Sequence, residues 1–402
     1  MGAPLTRRLG LTDAVLIGLG SMIGAGVFVA FTPAAAAAGS WLLMGLTLAA
    51  VVAYCNASSS ARLAVLYPES GGTYVYGRER LGPFWGHLAG WSFIVGKTAS
   101  CAAMAMTVGF YVWPAHAHLI AVAAVVALTV LNCFGVQRSA LLTRIIVAAV
   151  LAILAAALVA IFTAGNPTPA VSDSPPSILG VLQAAGLLFF AFAGYARIAT
   201  LGEEVRDPQR TIPRAITLAL GITLVVYVAV ALALLHALGD AGLAAATAPV
   251  AEAVTAIGLP WLEPVVRVGA ALAALGALLA LILGVSRTTL AMARDRHLPA
   301  ALATVHAGVP RYAEITVGAV VALLAATVDL RGAIGFSSFG VLVYYAIANA
   351  SAFTLGRRVV PVIGLTGCLV LAVTLPWMSV LTGAAVLALG ALSYGLRRAP
   401  NR

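Results

Sequence analysis

The sequence predicts an all-α protein that crosses a membrane many times. Three observations carry this prediction. Hydrophobic residues make up 62% of the 402 residues and charged residues only 9%, a balance that does not suit a soluble domain. The apolar residues fall into twelve runs, each near the roughly 20 residues that a helix needs to cross a bilayer. The arginines, finally, lie almost entirely on one side of those runs.

The twelve predicted spans are, in chain order, about 12–36, 40–66, 85–113, 118–136, 140–164, 178–201, 213–237, 264–292, 313–330, 333–355, 359–376 and 378–396. With the N-terminus inside, nineteen arginines lie in inward segments, whereas Arg267 and Arg331 alone lie in outward ones. This bias follows the positive-inside rule. We therefore expect a multi-pass protein of the cytoplasmic (inner) membrane with both termini cytoplasmic, and we attribute the net charge of +10 to topology rather than to a nucleic-acid partner.

The chain is expected to form one membrane domain over residues 1–402, without a cleavable signal peptide, because the basic N-terminus runs directly into the first span. The four cysteines (Cys55, Cys101, Cys133 and Cys368) all lie in apolar runs and have no metal-ligand spacing. We interpret them as packing residues. The sequence thus predicts no metal site and no cofactor.

Two spans carry glycines that favour a helix break. The first contains GLGSMIGAG at 18–26, and the sixth contains GLLFFAFAGYA at 186–196. Glycine tolerates the backbone angles of an unwound segment, although close packing of small residues is the alternative reading. Because the two spans are five apart, they predict a five-plus-five repeat. Its halves would be about 12–164 and 178–355, with two peripheral helices over about 359–396.

Four stretches together resemble the amino acid–polyamine–organocation transporter superfamily: GSMIGAGVF at 20–28, YPESGGTY at 67–74, FFAFAGYARIATLGEEVRDPQRTIP at 189–213 and ARDRHLP at 293–299. The sequence is most similar to the bacterial amino acid permease and cationic amino acid transporter branches. The resemblance implies an inverted-repeat fold of ten core helices plus two, with discontinuous helices one and six. It also implies secondary transport of an amino acid or related amine by alternating access.

The breaks predict a substrate site built largely from backbone. Amide N–H groups freed in the first span, at Ile23, Gly24, Ala25 and Gly26 and at the positive end of a half-helix, suit a carboxylate. Carbonyl groups freed near Ser21 and Met22, and around residues 189–192 in the sixth span, suit the amine of an amino acid. The resemblance further implies that Phe190 or Phe192 covers the substrate as an aromatic gate, whereas packing against lipid or core is the alternative. The predicted binding residues are Ser21, Met22, Ile23, Gly24, Ala25, Gly26, Phe189, Phe190, Ala191, Phe192 and Gly194.

Lys97 is the only lysine among 23 basic residues and lies inside the third predicted span. It is about thirteen residues, or about 20 Å, from the cytoplasmic end of that helix. An ionisable residue at such depth is a candidate functional site. Three roles stay open: a carrier of the coupling proton, a fixed cation that pairs with dipoles, carbonyls or substrate, and a structural residue that reaches an interface.

Arg197 follows the sixth-span break and does not titrate in proteins. Three roles stay open for it: a replacement for a bound cation, a contact for an anionic group of the substrate, and an ion-pair partner of Glu203 or Glu204. All thirteen carboxylates lie in loops or at span ends. A substrate with a second positive charge would therefore lack a deep counter-ion. We expect a neutral amino acid, with an acidic or other anionic substrate as the alternative.

Sodium sites need clustered oxygen ligands, for which Ser286, Thr288 and Thr289 are candidates; we favour proton coupling or exchange. The alternative class is a non-transporting sensor or channel on the same scaffold. An enzyme is not expected, because the six histidines lie at span ends or in loops.

Overall fold

The computed structural model describes residues 9–67, 71–135, 140–164, 177–199, 205–306 and 308–398. Within these ranges the chain forms seventeen α-helices and, apart from the isolated bridges Leu9–Val205 and His306–Val309, no β-structure. The helices α1 to α17 are, in order, Leu11–Met22, Gly26–Val29, Phe31–Ala38, Leu42–Leu66, Thr73–Leu81, Pro83–Val112, Ala117–Cys133, Ala140–Thr163, Ile178–Phe192, Ala196–Ala199, Pro208–Ala245, Pro249–Ala256, Glu263–Arg294, Arg311–Thr327, Leu330–Phe353, Val359–Thr374 and Trp377–Arg398.

Ten helical segments of the described chain are long and apolar enough to cross a membrane. This confirms an all-helical, multi-pass membrane protein. Helices α14 and α16 coincide with the ninth and eleventh predicted spans, but they are only 17 and 16 residues long. The count of twelve spans and the five-plus-five repeat therefore stay predictions.

Local sequence accounts for several helix starts. The Ser177 hydroxyl accepts from the Gly180 amide at 2.9 Å and begins α9. The Asp329 carboxylate accepts from the Gly332 amide at 2.9 Å and begins α15. Such caps satisfy amides that have no partner within the helix. Helix α6 begins with Pro83, whose missing N–H costs nothing at this position.

Helix α6 lies at the centre of the molecule and packs most extensively against α15 and α13. Its backbone meets that of α15 where two glycines face each other. A Cβ built on Gly340 would lie 2.9 Å from Gly96 Cα, so no larger residue fits there. One turn further, the Ser100 and Ser337 hydroxyls are 2.5 Å apart. This contact fixes the part of α6 that carries Lys97.

Two of the stretches that carry the family resemblance meet at one end of the bundle. The Tyr74 hydroxyl, on α5, donates to the Asp295 carboxylate directly after α13. Arg78 Nη1 lies 3.1 Å from the same Asp295 oxygen, Oδ2. Burial, and then the hydrogen bond to Asp295, raise the pKa of the Tyr74 phenol, so this group stays a protonated donor at physiological pH. The contact ties the link before α6 to the end of α13.

A buried polar cluster joins α4 to α15. Ser59 Oγ donates to Asn349 Oδ1 at 2.7 Å, and Asn349 Nδ2 donates to Asn56 Oδ1 at 2.6 Å. All three residues are fully buried. Removing one partner from such a buried hydrogen bond lowers the stability of the fold, because the other polar group is left unsatisfied.

We expect Asn349→Ala to destabilise the fold by about 1–3 kcal/mol. The buried Ser59 hydroxyl would lose its acceptor, and Asn56 Oδ1 would keep only the weak bond from the Cys368 thiol at 3.3 Å. Unfolding of the purified protein by sodium dodecyl sulfate would measure the loss. Ser351→Ala is the matched control, since the Ser351 hydroxyl bonds only to the Ile347 carbonyl of its own helix. Equal stability of the two variants would contradict the role assigned to the cluster.

Candidate functional site

The first predicted span is interrupted where the glycines lie. Helix α1 ends at Met22, Ile23 has non-helical angles of φ −84° and ψ 51°, and α2 begins at Gly26. The Ile23 amide donates to the Leu19 carbonyl at 2.7 Å. It therefore completes α1 and is not free for a substrate, which corrects the prediction for this residue. The amides of Gly24, Ala25 and Gly26 donate to no acceptor within the described chain.

The sixth span tightens rather than unwinds. Helix α9 ends at Phe192, a 3-10 turn follows over Ala193–Tyr195, and α10 continues the path. The Phe189 carbonyl accepts from the Ala193 amide and caps α9. The carbonyl of Ala193 points to a partner outside its own helix, the ammonium of Lys97.

The two breaks are packed directly against each other through glycines. A Cβ built on Gly26 would lie 2.7 Å from Ala191 Cα, and one built on Gly194 would collide with the Ser21 carbonyl. Each glycine thus admits the backbone of the opposite break. This contact explains the glycines at these two positions as close-approach residues.

Tyr227, on α11, bonds to both breaks, and sequence analysis did not single it out. Its hydroxyl lies 2.6 Å from the Met22 carbonyl and 2.9 Å from the Ala191 carbonyl. The ring is fully buried and packs edge-on against Phe192, with centroids 5.0 Å apart. Both carbonyls are among those predicted to accept the substrate amine. Because each already accepts from the Tyr227 hydroxyl, neither is free for a substrate. The one sequence signal that could have pointed to it is its position as a lone tyrosine in the apolar run TLVVYVAVA, at 223–231.

A cavity of about 420 Å³ lies beside the breaks, between α6, α9, α10 and α13. Five of the predicted residues line it: Ser21, Lys97, Phe190, Gly194 and Arg197. The remaining predicted residues do not: Met22, Ile23, Gly24, Ala25, Gly26, Phe189, Ala191 and Phe192. Of the two candidate gate rings, the structure therefore brings only Phe190 to the cavity, because Phe192 packs against Tyr227.

Lys97 reaches the break of the sixth span from the middle of α6. Its side chain is buried, with 7% of the residue exposed, and its Nζ donates to the Ala193 carbonyl at 3.2 Å. No carboxylate of the described chain forms an ion pair with it. The ammonium is thus held at the break and the cavity rather than at an end of α6, and the role of Lys97 stays a prediction.

Basic residues dominate the charged lining of the cavity. Lys97 lies deepest, Arg197 is half-buried, and Arg287 and Arg294 are exposed nearer the end of α13. The described lining contains no Asp or Glu. The predicted partners of Arg197, Glu203 and Glu204, lie outside the described residues.

The hydroxyls proposed as sodium ligands do not gather at one point. Ser286 Oγ donates to Glu314 Oε1 at 2.6 Å and so faces α14. Thr288 and Thr289 donate to carbonyls of their own helix, at Gly284 and Val285. Only Thr288 of the three lines the cavity. Glu314 lies in the first turn of α14 and is fully buried, a degree of burial that its place at a predicted span end did not indicate.

Side-chain contacts close the opposite end of the site. The Tyr111 hydroxyl donates to the Phe28 carbonyl at 2.9 Å. Arg267 Nε donates to Glu263 at 2.7 Å, and its Nη1 donates to the Tyr111 carbonyl at 3.1 Å. The cavity instead extends toward Gly71 and Arg294, at the start of α5 and the end of α13. It therefore faces one side of the bundle only.

Known proteins match this chain along nearly its whole length. Residues 13–393 match the amino acid permease family model. An uncharacterized transporter of Mycobacterium tuberculosis is 69% identical, over 99% of this chain and 93% of the relative. The branched-chain amino acid permease and the methylthioribose transporter of Bacillus subtilis are 26% and 28% identical, each over 98% of this chain and 93% of the relative.

We expect Tyr227→Phe to loosen both breaks, because it leaves two buried carbonyls without their donor, at a cost of about 1–3 kcal/mol. Hydrogen–deuterium exchange should accelerate by about fivefold or more in peptides that cover 19–30 and 187–195. Tyr344→Phe is the matched control: this buried tyrosine accepts from the Thr73 amide at 3.0 Å, so exchange should change near Thr73 and not at the breaks. Unchanged exchange at both breaks in Tyr227→Phe would contradict the assignment.

Proposed function

Because this chain belongs to the amino acid permease family, we propose that it moves an amino acid across the cytoplasmic membrane by alternating access. One observation carries the proposal: two interrupted helices touch beside a cavity of about 420 Å³ that a buried lysine also lines. Discontinuous helices are typical of the substrate sites of secondary transporters. The two halves of the proposed repeat, about 12–164 and 178–355, would supply one broken helix each.

The backbone of the first break would bind the substrate carboxylate. The amides of Gly24, Ala25 and Gly26 have no acceptor in the described chain, and they precede the first turn of α2, where anions are favoured. These residues do not line the cavity, so the substrate would have to reach them from Ser21. With Met22 and Ala191 bonded to Tyr227, the carbonyl of Ser21 remains as acceptor for the substrate amine. Phe190 would cover the bound molecule.

The charge of the cavity supports a neutral amino acid. Its described lining contains four basic side chains and no acidic one, so a dibasic amino acid would bring a further positive charge without a counter-ion. The same observation favours an organic anion as the second candidate substrate. The methylthioribose transporter among the relatives transports, by its name, a compound other than an amino acid.

Lys97 is the residue that we propose for coupling. Its ammonium bonds to the break of the sixth span, so loss of its proton would weaken this bond from a charge-assisted to a neutral one during transport. The alternative is a fixed cation in an exchanger or facilitated carrier. The described hydroxyls of α13 bond to their own helix or to Glu314, which supports proton coupling or exchange over sodium coupling.

The orientation of the site follows from the positive-inside prediction. The Arg206 amide donates to the Leu9 carbonyl at 2.9 Å, so the residue before α1 lies beside the start of α11. We propose that this side, with both termini, is cytoplasmic and that the cavity is open toward it.

We expect proteoliposomes to take up a neutral amino acid under an imposed pH gradient without sodium. In Lys97→Ala, stimulation by the gradient should disappear, because no side chain at the break can bind the proton. In Lys97→Arg, a permanent cation should leave exchange of the substrate but abolish its coupling to the gradient. Uptake of radiolabelled substrate, with and without the gradient, measures both effects.

Thr98→Ala is the control on the same helix, since the Thr98 hydroxyl bonds only to the Ile94 carbonyl. It should transport like wild type. Uptake that ignores pH in wild type and survives in Lys97→Arg would instead make Lys97 a fixed cation. No uptake of any amino acid would reject this substrate class.

Competition in the same assay should separate substrates by charge. A second positive charge about 6 Å from Lys97 is unfavourable by about 3 kcal/mol at an effective dielectric constant of about 20. Dibasic amino acids should therefore compete about 100-fold more weakly than neutral ones of similar size. Strong competition by lysine or arginine would contradict the charge argument, whereas competition by organic anions alone would favour the second candidate.

A further inference from the structure

A second opening of about 470 Å³ lies on the outer surface of the bundle, between α4 and α11. Its walls are mainly apolar and come from Ala57, Ala61, Val65, Pro213 and Ile216. Tyr54 and Leu66, also in its lining, are more than half exposed. None of its lining residues belongs to the cavity beside the helix breaks. We call this opening the α4–α11 cleft.

One end of the α4–α11 cleft meets a group of arginines around the C-terminal end of α15. Arg62, which lines the cleft, donates to the carbonyls of Arg357 and Leu355 at 3.0 and 3.4 Å. Arg80 donates to the hydroxyl and the carbonyl of Thr354 at 2.7 and 3.0 Å. The segment that follows α15 therefore brings Arg357 and Arg358 to the same place.

No carboxylate of the described chain forms an ion pair with this group of arginines. Arg62 and Arg80 bond to carbonyls and a hydroxyl, which carry no formal charge. Arg357 and Arg358 are exposed, and the Arg358 guanidinium lies 4.9 Å from the Phe353 ring centroid. The ion pairs of the described chain use other arginines: Arg78, Arg144, Arg210 and Arg267. The negative end of the α15 dipole, at its C-terminus, offsets only about half an elementary charge.

We propose that the α4–α11 cleft binds one anionic phospholipid. The guanidinium groups of Arg357 and Arg358 would hold its phosphate and headgroup, since planar guanidinium groups match phosphate geometry. An acyl chain would lie along the apolar wall between α4 and α11. The complementarity is twofold, because a basic rim adjoins an apolar groove that opens to the bilayer. Basic pockets between membrane helices bind anionic headgroups for the same reasons.

Native mass spectrometry of the purified full-length protein tests this binding with phosphatidylglycerol and phosphatidylcholine as probes. The wild type should retain phosphatidylglycerol in preference to phosphatidylcholine. The double variant Arg357→Gln/Arg358→Gln should bind phosphatidylglycerol about 30-fold more weakly, the loss expected for two basic residues at a lipid headgroup. Its matched control is Arg296→Gln/Arg311→Gln, which removes two exposed arginines at the ends of α13 and α14 and should bind like wild type.

A second pair of variants tests the groove without changing charge. Thr217 is exposed and lines the cleft, whereas its exposed neighbour Leu218 does not. Thr217→Trp should fill the groove and reduce retention of phosphatidylglycerol, and Leu218→Trp should not. Equal retention of the two lipids by wild type would overturn the proposal. So would equal losses in both arginine double variants, or wild-type binding by Thr217→Trp.

Discussion

The contact between the two helix breaks is the constraint on which the site depends. Gly26 admits Ala191, and Gly194 admits the backbone at Ser21, so neither break can move far without the other. Tyr227 adds one hydroxyl that reaches a carbonyl of each. A hydroxyl has a single proton, so it can satisfy both acceptors only while they stay together. The breaks therefore behave as one unit, held from α11.

This arrangement gives Lys97 its place in the site. Helix α6 can present the lysine to the Ala193 carbonyl because Gly96 and Gly340 let α6 and α15 approach closely. A buried ammonium needs acceptors for its three protons, and the described contacts supply one. The other two ammonium protons can be given acceptors from the cavity, which is large enough for water or a small substrate. Lys97 thus contacts the sixth-span break and also lines the cavity.

The sequence was sufficient for the membrane class and the place of the first break, and it singled out Lys97, which the structure places at the sixth-span break. Glycine runs and a lone lysine in an apolar run are local signals. It failed where hydrogen-bond partners are distant. The Ile23 amide could not be assigned before the last turn of α1 was known. Tyr227 is 205 residues from Met22, and no periodicity in an apolar helix states which carbonyl its hydroxyl meets. Phe190 and Phe192 differ by two positions, and only packing decides which ring faces the cavity.

The alternating access that we propose would have to act against these contacts. The far side is closed by Tyr111 of α6, which donates to the Phe28 carbonyl of α2, and by Arg267, which bridges Glu263 to the end of α6. The near side carries the Tyr74–Asp295 bond at the cavity mouth, which holds α5 to the end of α13. If α5, α6 and α13 move together, the Tyr111–Phe28 bond must break for substrate to enter from the far side, whereas the Arg267 contacts and the near-side bond can persist. Two motions can be compared: movement of the two breaks as one unit relative to α6 and α13, and bending at a hinge within one break. The geometry favours the first.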